Sequence, residues 1–262
     1  MTDTAATKGL TEPDATPAGR PGAFVPALRA EWIKIRTLRP LVLALLAVLL
    51  ATVTFSALAG LDDSKGPDFD PLFSALFGVS FGQIAAITFG TQAMAAEHRD
   101  GALRLSLAAV PDRGRWFLAK TVAIGAPVLV VGLVTGVAGL LVGTSVLGAR
   151  ADGLGAAEQV RAVVGCALYL TLMALLAAGL AAVLRSGVAT LSILIPFLLI
   201  VSFVVGGASG GVADFLPDKA GQLVLHRTHD GTLGPWTGLG VTALWTAAVL
   251  GAGAWSVRRR DA

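Results

Sequence analysis

The residues best equipped for chemistry are His226, His229 and Asp230, the aspartates Asp62, Asp63, Asp68 and Asp70, Glu97 beside His98, and the single cysteine, Cys166. A His-x-x-His pair can ligate a borderline metal or titrate near neutral pH, but one pair with one carboxylate is a weak metal signature. The four aspartates offer hard oxygen ligands, yet their spacing fits no calcium loop, and a hydrated acidic loop is the plainer reading. Glu97-His98 inverts the first two letters of the H-E-x-x-H zinc motif and lacks the rest. Cys166 has no second thiol to pair with, so it reads as a small buried apolar side chain. The sequence also contains no phosphate-cradling G-x-x-x-x-G-K-[ST] loop. These patterns assign this chain no catalytic residue, no metal and no cofactor.

The elements that carry these residues are overwhelmingly apolar. Hydrophobic residues make up 55% of the 262 and charged residues 14%, where a soluble domain has about 25% charged. No Asp, Glu, Lys or Arg occurs in 41–61, 71–96, 121–149, 162–184, 186–213 or 231–257. A helix rises about 1.5 Å per residue, so each stretch is long enough for a hydrocarbon layer of about 30 Å. The sequence therefore predicts an all-α polytopic membrane protein with six transmembrane helices, over 41–61, 77–96, 122–147, 163–184, 188–207 and 237–257. Fifteen of the 20 basic residues fall on the side that holds both tails and the 97–121 connection. That bias predicts both termini in the cytoplasm of a multi-pass cell-membrane protein.

Residues 1–23 are rich in Thr, Ala, Pro, Asp and Gly and read as a disordered cytoplasmic tail. Residues 24–40 read as an interfacial helix with Leu28, Trp32 and Ile35 on one side and basic residues for a lipid leaflet. Glu31 beside that apolar side spoils its amphipathicity. The permease domain is expected over 41–257. It includes a cytoplasmic segment at 97–120 and an extracytoplasmic segment at 208–236, with Phe215, Leu216, Leu223, Val224 and Leu225 as an external cap. A cytoplasmic tail at 258–262 follows. Gln83, Thr88, Thr91 and Gln92 would be costly against lipid and are candidates for a pathway or for polar helix packing. Gly78 and Gly82, Gly132 and Gly136, and Gly139 and Gly143 predict close helix contacts. Pro196 removes a hydrogen bond within its helix and is a candidate hinge or static kink.

The most organised connection is EHRDGALRLSLAAVPDRGRWFLAK, residues 97–120. Leu103, Leu107 and Val110 form an apolar stripe beside Arg104, Pro111 stops it, and Asp112 is placed to cap a following helix that begins with Arg113. With the amphipathic EWIKIRTLRP, residues 31–40, this segment resembles the permease subunits of the ABC-2 type transporter family, particularly short actinobacterial members. The resemblance covers most of the chain after residue 24. It implies a subunit that forms the substrate pathway with a second permease copy or a related permease, as a dimer driven by cytoplasmic ATP-binding cassette ATPase subunits. ATP and Mg would then bind the partner, and export is the implied direction. The same resemblance makes 97–120 an ATPase-coupling segment, with Glu97, Gly101, Leu103, Arg104, Leu107, Pro111 and Arg113 as its marked positions and Phe117 and Lys120 at its exit. A secondary transporter is the alternative, and an intramembrane enzyme a more distant one. No nucleic-acid partner is expected. Membrane lipid is.

Overall fold

The computed structural model describes residues 24–62, 69–98, 112–201, 213–228 and 232–259. Among these, every regular element is helical: α1 (Phe24–Thr37), α2 (Arg39–Gly60), α3 (Pro71–Ala75), α4 (Val79–Ala95), α5 (Arg113–Leu147), α6 (Ala156–Leu184), α7 (Gly187–Pro196), α8 (Pro217–Gln222) and α9 (Pro235–Arg259).

Local chemistry sets many of the ends. Asp70 starts α3 by accepting the backbone N–H groups of Leu72 and Phe73, and Asp112 starts α5 by accepting those of Gly114 and Arg115. Both satisfy donors that have no partner inside the first helical turn. The α6 helix ends at Arg185, whose backbone turns left-handed at φ 54°. Ser186 then caps α7 through Ala189 N–H. The two helices are joined by two residues, as the very short 185–187 connection predicts.

The expected six crossings are corrected to four. Only α2, α5, α6 and α9 are long and apolar enough to span a membrane among the described residues. The expected 77–96 span is instead a turn at Leu76–Gly78 followed by the 17-residue α4, which at about 1.5 Å per residue extends about 25 Å. The expected 188–207 span is a 10-residue α7 that passes at Pro196 into a π-helical turn, Phe197–Val201. Proline cannot donate to the ladder, and a wider turn relieves the mismatch. Residues 202–212 lie outside the described residues. A lack of charge fixes where lipid is tolerated but leaves the backbone free to break within the stretch. Residues 1–23 and 260–262 also lie outside the described residues, so the expected cytoplasmic placement of both termini is withdrawn as well.

The α6 helix sits at the centre and packs against α4, α5 and α9. It buries Tyr169, Leu170, Met173 and Ala174 completely. The α2 and α9 helices are more peripheral and present Leu43, Leu50 and Leu244 outward. Every expected close-contact glycine is used within the chain: Gly78 and Gly82 lie on Thr52, Gly132 and Gly136 on Ala167 and Val163, and Gly139 and Gly143 on Leu76 and Ala75. The α4 and α6 helices approach closely at Gly90, where a β-carbon would overlap the carbonyl of Ala174. Gly251 on α9 has open space around it. Gly90→Ala should therefore push two packed helices apart and cost about 1–3 kcal/mol, while Gly251→Ala should stay within about 0.5 kcal/mol. Thermal unfolding of the two purified variants in detergent checks the contrast, and equal midpoints would contradict it.

Candidate functional site

Four charged side chains from three elements meet at the end of the bundle where α2 and α5 begin and α4 ends. On α1, a helix with Ala27, Glu31 and Ile35 turned inward, Glu31 and Lys34 lie one turn apart. Glu97 stands in the single 3-10 turn after α4, and Lys120 lies two turns into α5. Lys120 Nζ donates to Glu31 Oε2 at 2.5 Å and to Glu97 Oε1 at 2.7 Å. Lys34 Nζ donates to Glu31 Oε1 at 2.8 Å and to Glu97 Oε1 at 2.9 Å. The four contacts close a ring of alternating sign.

The ring is buried. Glu31, Glu97 and Lys120 are 4%, 2% and 4% exposed, and only the Lys34 side chain, 39% exposed, reaches the surface. Isolated charges would be expensive here, but two carboxylates facing two ammonium groups make the cluster neutral and hydrogen-bonded. Burial by itself would raise the Glu97 carboxyl. The adjacent charges and hydrogen bonds of Lys120 and Lys34 outweigh it and hold the carboxyl down, from an ordinary 4.5 to about 2. Burial likewise pulls Lys34 down, and its bonds to Glu31 and Glu97 more than restore it. The arrangement is a fastener that ties α1 to the end of α4 and to α5.

Its position matters. Glu97 and Lys120 flank the 99–111 segment on its two sides, and α1 is joined to both flanks, by Lys34 to Glu97 and by Glu31 to Lys120. The start of α5 is secured on its other side, where Arg113 donates to the carbonyls of Val257 and Arg258 at the end of α9. Trp116 and Phe117 are buried below it.

Of the coupling positions expected from sequence, Glu97 and Arg113 are in these contacts, whereas Gly101, Leu103, Arg104, Leu107 and Pro111 lie outside the described residues. Glu31 and Lys34 were not anticipated as site residues. The available signal was Glu31 itself, a carboxylate on the otherwise apolar side of a short helix, which asks for a buried cation.

The polar residues of α4 take different places. Gln83 Oε1 accepts from the Tyr169 hydroxyl, and its amide donates to Ser80 O at 3.0 Å. Gln222 of α8 donates to the Tyr169 oxygen at 3.1 Å and accepts from Ser80 Oγ at 3.2 Å. Together these tie α4, α6 and α8. Thr88 bonds back to Ile84 O, Thr91 is fully buried, and Gln92 is half-buried. Within the described part of 208–236, α8 and the turn Leu223–Leu225 follow one another, with Val224 and Leu225 buried and Phe215 exposed.

At the far end His226 stacks on Phe73 with ring centroids 4.0 Å apart and lies 3.4 Å from Asp70 Oδ2. The same Asp70 oxygen accepts the backbone N–H of Arg227 at 2.7 Å. In these contacts His226 is engaged by Phe73 and Asp70, while His229, Asp230, Asp63 and Asp68 lie outside the described residues. No group of three or more His, Cys, Asp or Glu suited to a metal ion occurs among the described residues.

A family model described as "ABC-2 family transporter protein" matches residues 27–207 of the 262, from α1 and its ring carboxylate past the π turn. No curated protein matches the chain.

Proposed function

The chain belongs to the ABC-2 transporter family, and on that premise we propose that it is the permease subunit of an ATP-driven exporter whose ATPase is a separate chain. The observation that carries the proposal is the buried ring Glu31–Lys34–Glu97–Lys120. In this reading the partner ATPase docks on the 97–120 segment through Leu103 and Leu107, with Gly101, Arg104 and Pro111 as further coupling positions. A push on that segment reaches Glu97 on one flank and Lys120 on the other. Because Glu97 bonds to Lys34 of α1 and Lys120 bonds to Glu31 of α1, and the two bond to each other, the force enters α1, α4 and α5 together. The α4 helix then transmits it to α6 and α2, on which it packs. A rigid-body shift of packed helices of this kind is a common way to bias a bundle between two arrangements.

ATP and Mg act on the partner in this scheme, and the permease contributes no group to phosphoryl transfer. A second permease, identical or related, completes the pathway, and Pro196, at the junction of α7 with its π turn, is the hinge candidate. Purification from the native host in mild detergent tests the assignment. An ATP-binding cassette protein should co-purify in near-stoichiometric amount and transport should need its ATP hydrolysis. Transport by the purified chain alone on an ion gradient would overturn the reading.

A further inference from the structure

The ring has a consequence for the surface around it. It takes both Glu31 and Glu97 inside, so among the described residues the exposed charge left at that end is basic: Arg29, Arg36, Arg39, Arg258 and Arg259, with Asp112 already paired to Arg115 at 3.1 Å. On α1 the outward face is Val25, Arg29, Trp32, Ile33 and Arg36, at helical spacings of four, three or four, and three or four residues. Trp32 is 43% exposed and Ile33 61%. Among the described residues Arg29, Arg36 and Arg39 make no ion pair.

This face continues, through the exposed Leu38, into the outward Val42, Leu43, Leu46 and Leu50 of the membrane-spanning α2. On α9, which ends at the same level, Trp255 is exposed beneath Arg259, whose guanidinium lies 4.7 Å from the ring centroid. Apolar and tryptophan side chains at the end of a span, interleaved with unpaired arginines, match a lipid boundary whose headgroups are negative.

We propose that the outward face of α1, Arg29–Trp32–Ile33–Arg36 with Arg39, is a binding surface for anionic phospholipid. The apolar residues enter the acyl boundary and the arginines take the headgroup phosphates. Inside, Glu31 and Lys34 fasten the same helix to Lys120 of α5 and to Glu97 at the end of α4, so α1 is held by protein on one face and by lipid on the other. The inference is independent of the direction or driving force of transport.

The test uses the purified full chain in detergent micelles doped with phosphatidylglycerol or phosphatidylcholine, with bound lipid counted by native mass spectrometry. A basic residue near an anionic surface contributes about a fivefold gain in affinity. Arg29→Gln/Arg36→Gln/Arg39→Gln should therefore weaken phosphatidylglycerol binding about a hundredfold at low salt and leave phosphatidylcholine binding unchanged. Raising the salt should erase the wild-type preference, a measurement that needs no variant to fold. A wild type without preference, or a preference that survives both salt and the triple variant, would overturn the proposal. So would a triple variant that keeps its lipid preference and loses a co-purifying protein, which would make this face a protein-docking surface.

Discussion

Lys120→Met is expected to be the most damaging single substitution at the ring, costing about 3–5 kcal/mol, the usual loss when one partner of a buried ion pair is removed. Lys120 contacts both Glu31 and Glu97. Methionine fills a similar volume and supplies no charge, so the two buried carboxylates lose a shared cation and keep the half-exposed Lys34 between them. The double variant Lys120→Met/Glu97→Gln restores neutrality and should recover part of the loss, although single and double effects at such close quarters will not add.

The acid profile gives a second reading of the same contact. The folded-state value of Glu97 lies below its ordinary 4.5, at about 2. Its contribution is therefore fully present above 4.5 and lost as pH falls from there toward 2. Unfolding of wild type in detergent should steepen in that window, and Lys120→Met should lose much of the steepening because the charge and hydrogen bond of Lys120, which hold the Glu97 carboxyl down, are gone. Wild-type stability and an unaltered acid limb in Lys120→Met would show that the ring is incidental.

How much of this was legible in the sequence depends on the range of the interaction. Asp112 capping α5 and the short α6–α7 connection are local features, written in two or three neighbouring residues, and both were readable. The α9 boundaries, Pro235–Arg259, fall close to the expected 237–257 because a tryptophan and an arginine run punctuate that helix. The 71–96 stretch misled because its break at Leu76–Gly78 is supported from outside: Gly78 N–H donates to Ser56 Oγ of α2. The ring was illegible for the same reason. Its bonds join residues 23, 63 and 89 positions apart, and no periodicity links a carboxylate on α1 to an amine on α5. What the sequence did display was the anomaly, Glu31 on the wrong side of its helix. The binding face of α1 was misread with it, since Trp32, expected beside the inward Ile35, turns out to face away from the bundle.

Leu103→Asp/Leu107→Asp is expected to abolish ATP-dependent transport and to weaken ATPase binding by more than tenfold, while the protein still inserts and folds. The two leucines are four residues apart between Glu97 and Asp112, on the segment whose flanks the ring joins. Burying one leucine is worth about 1.5–3 kcal/mol, and a carboxylate placed in the same apolar contact adds an unpaired-charge cost. Half of one such contribution, about 0.75–1.5 kcal/mol, reaches the roughly 1.4 kcal/mol of a tenfold change only at its upper end, so the double substitution provides the margin. Folding should survive because Glu97 and Lys120, with Glu31, remain to hold α1, α4 and α5 together. The ring and the docking surface thus fail differently. Lys120→Met lowers the unfolding midpoint and disconnects the helices from a partner that can still bind, whereas the leucine variant keeps its midpoint and loses the partner. Measured on monodisperse protein, with partner binding normalised to folded permease, a leucine variant that bound and transported like wild type would remove 97–120 as the coupling segment.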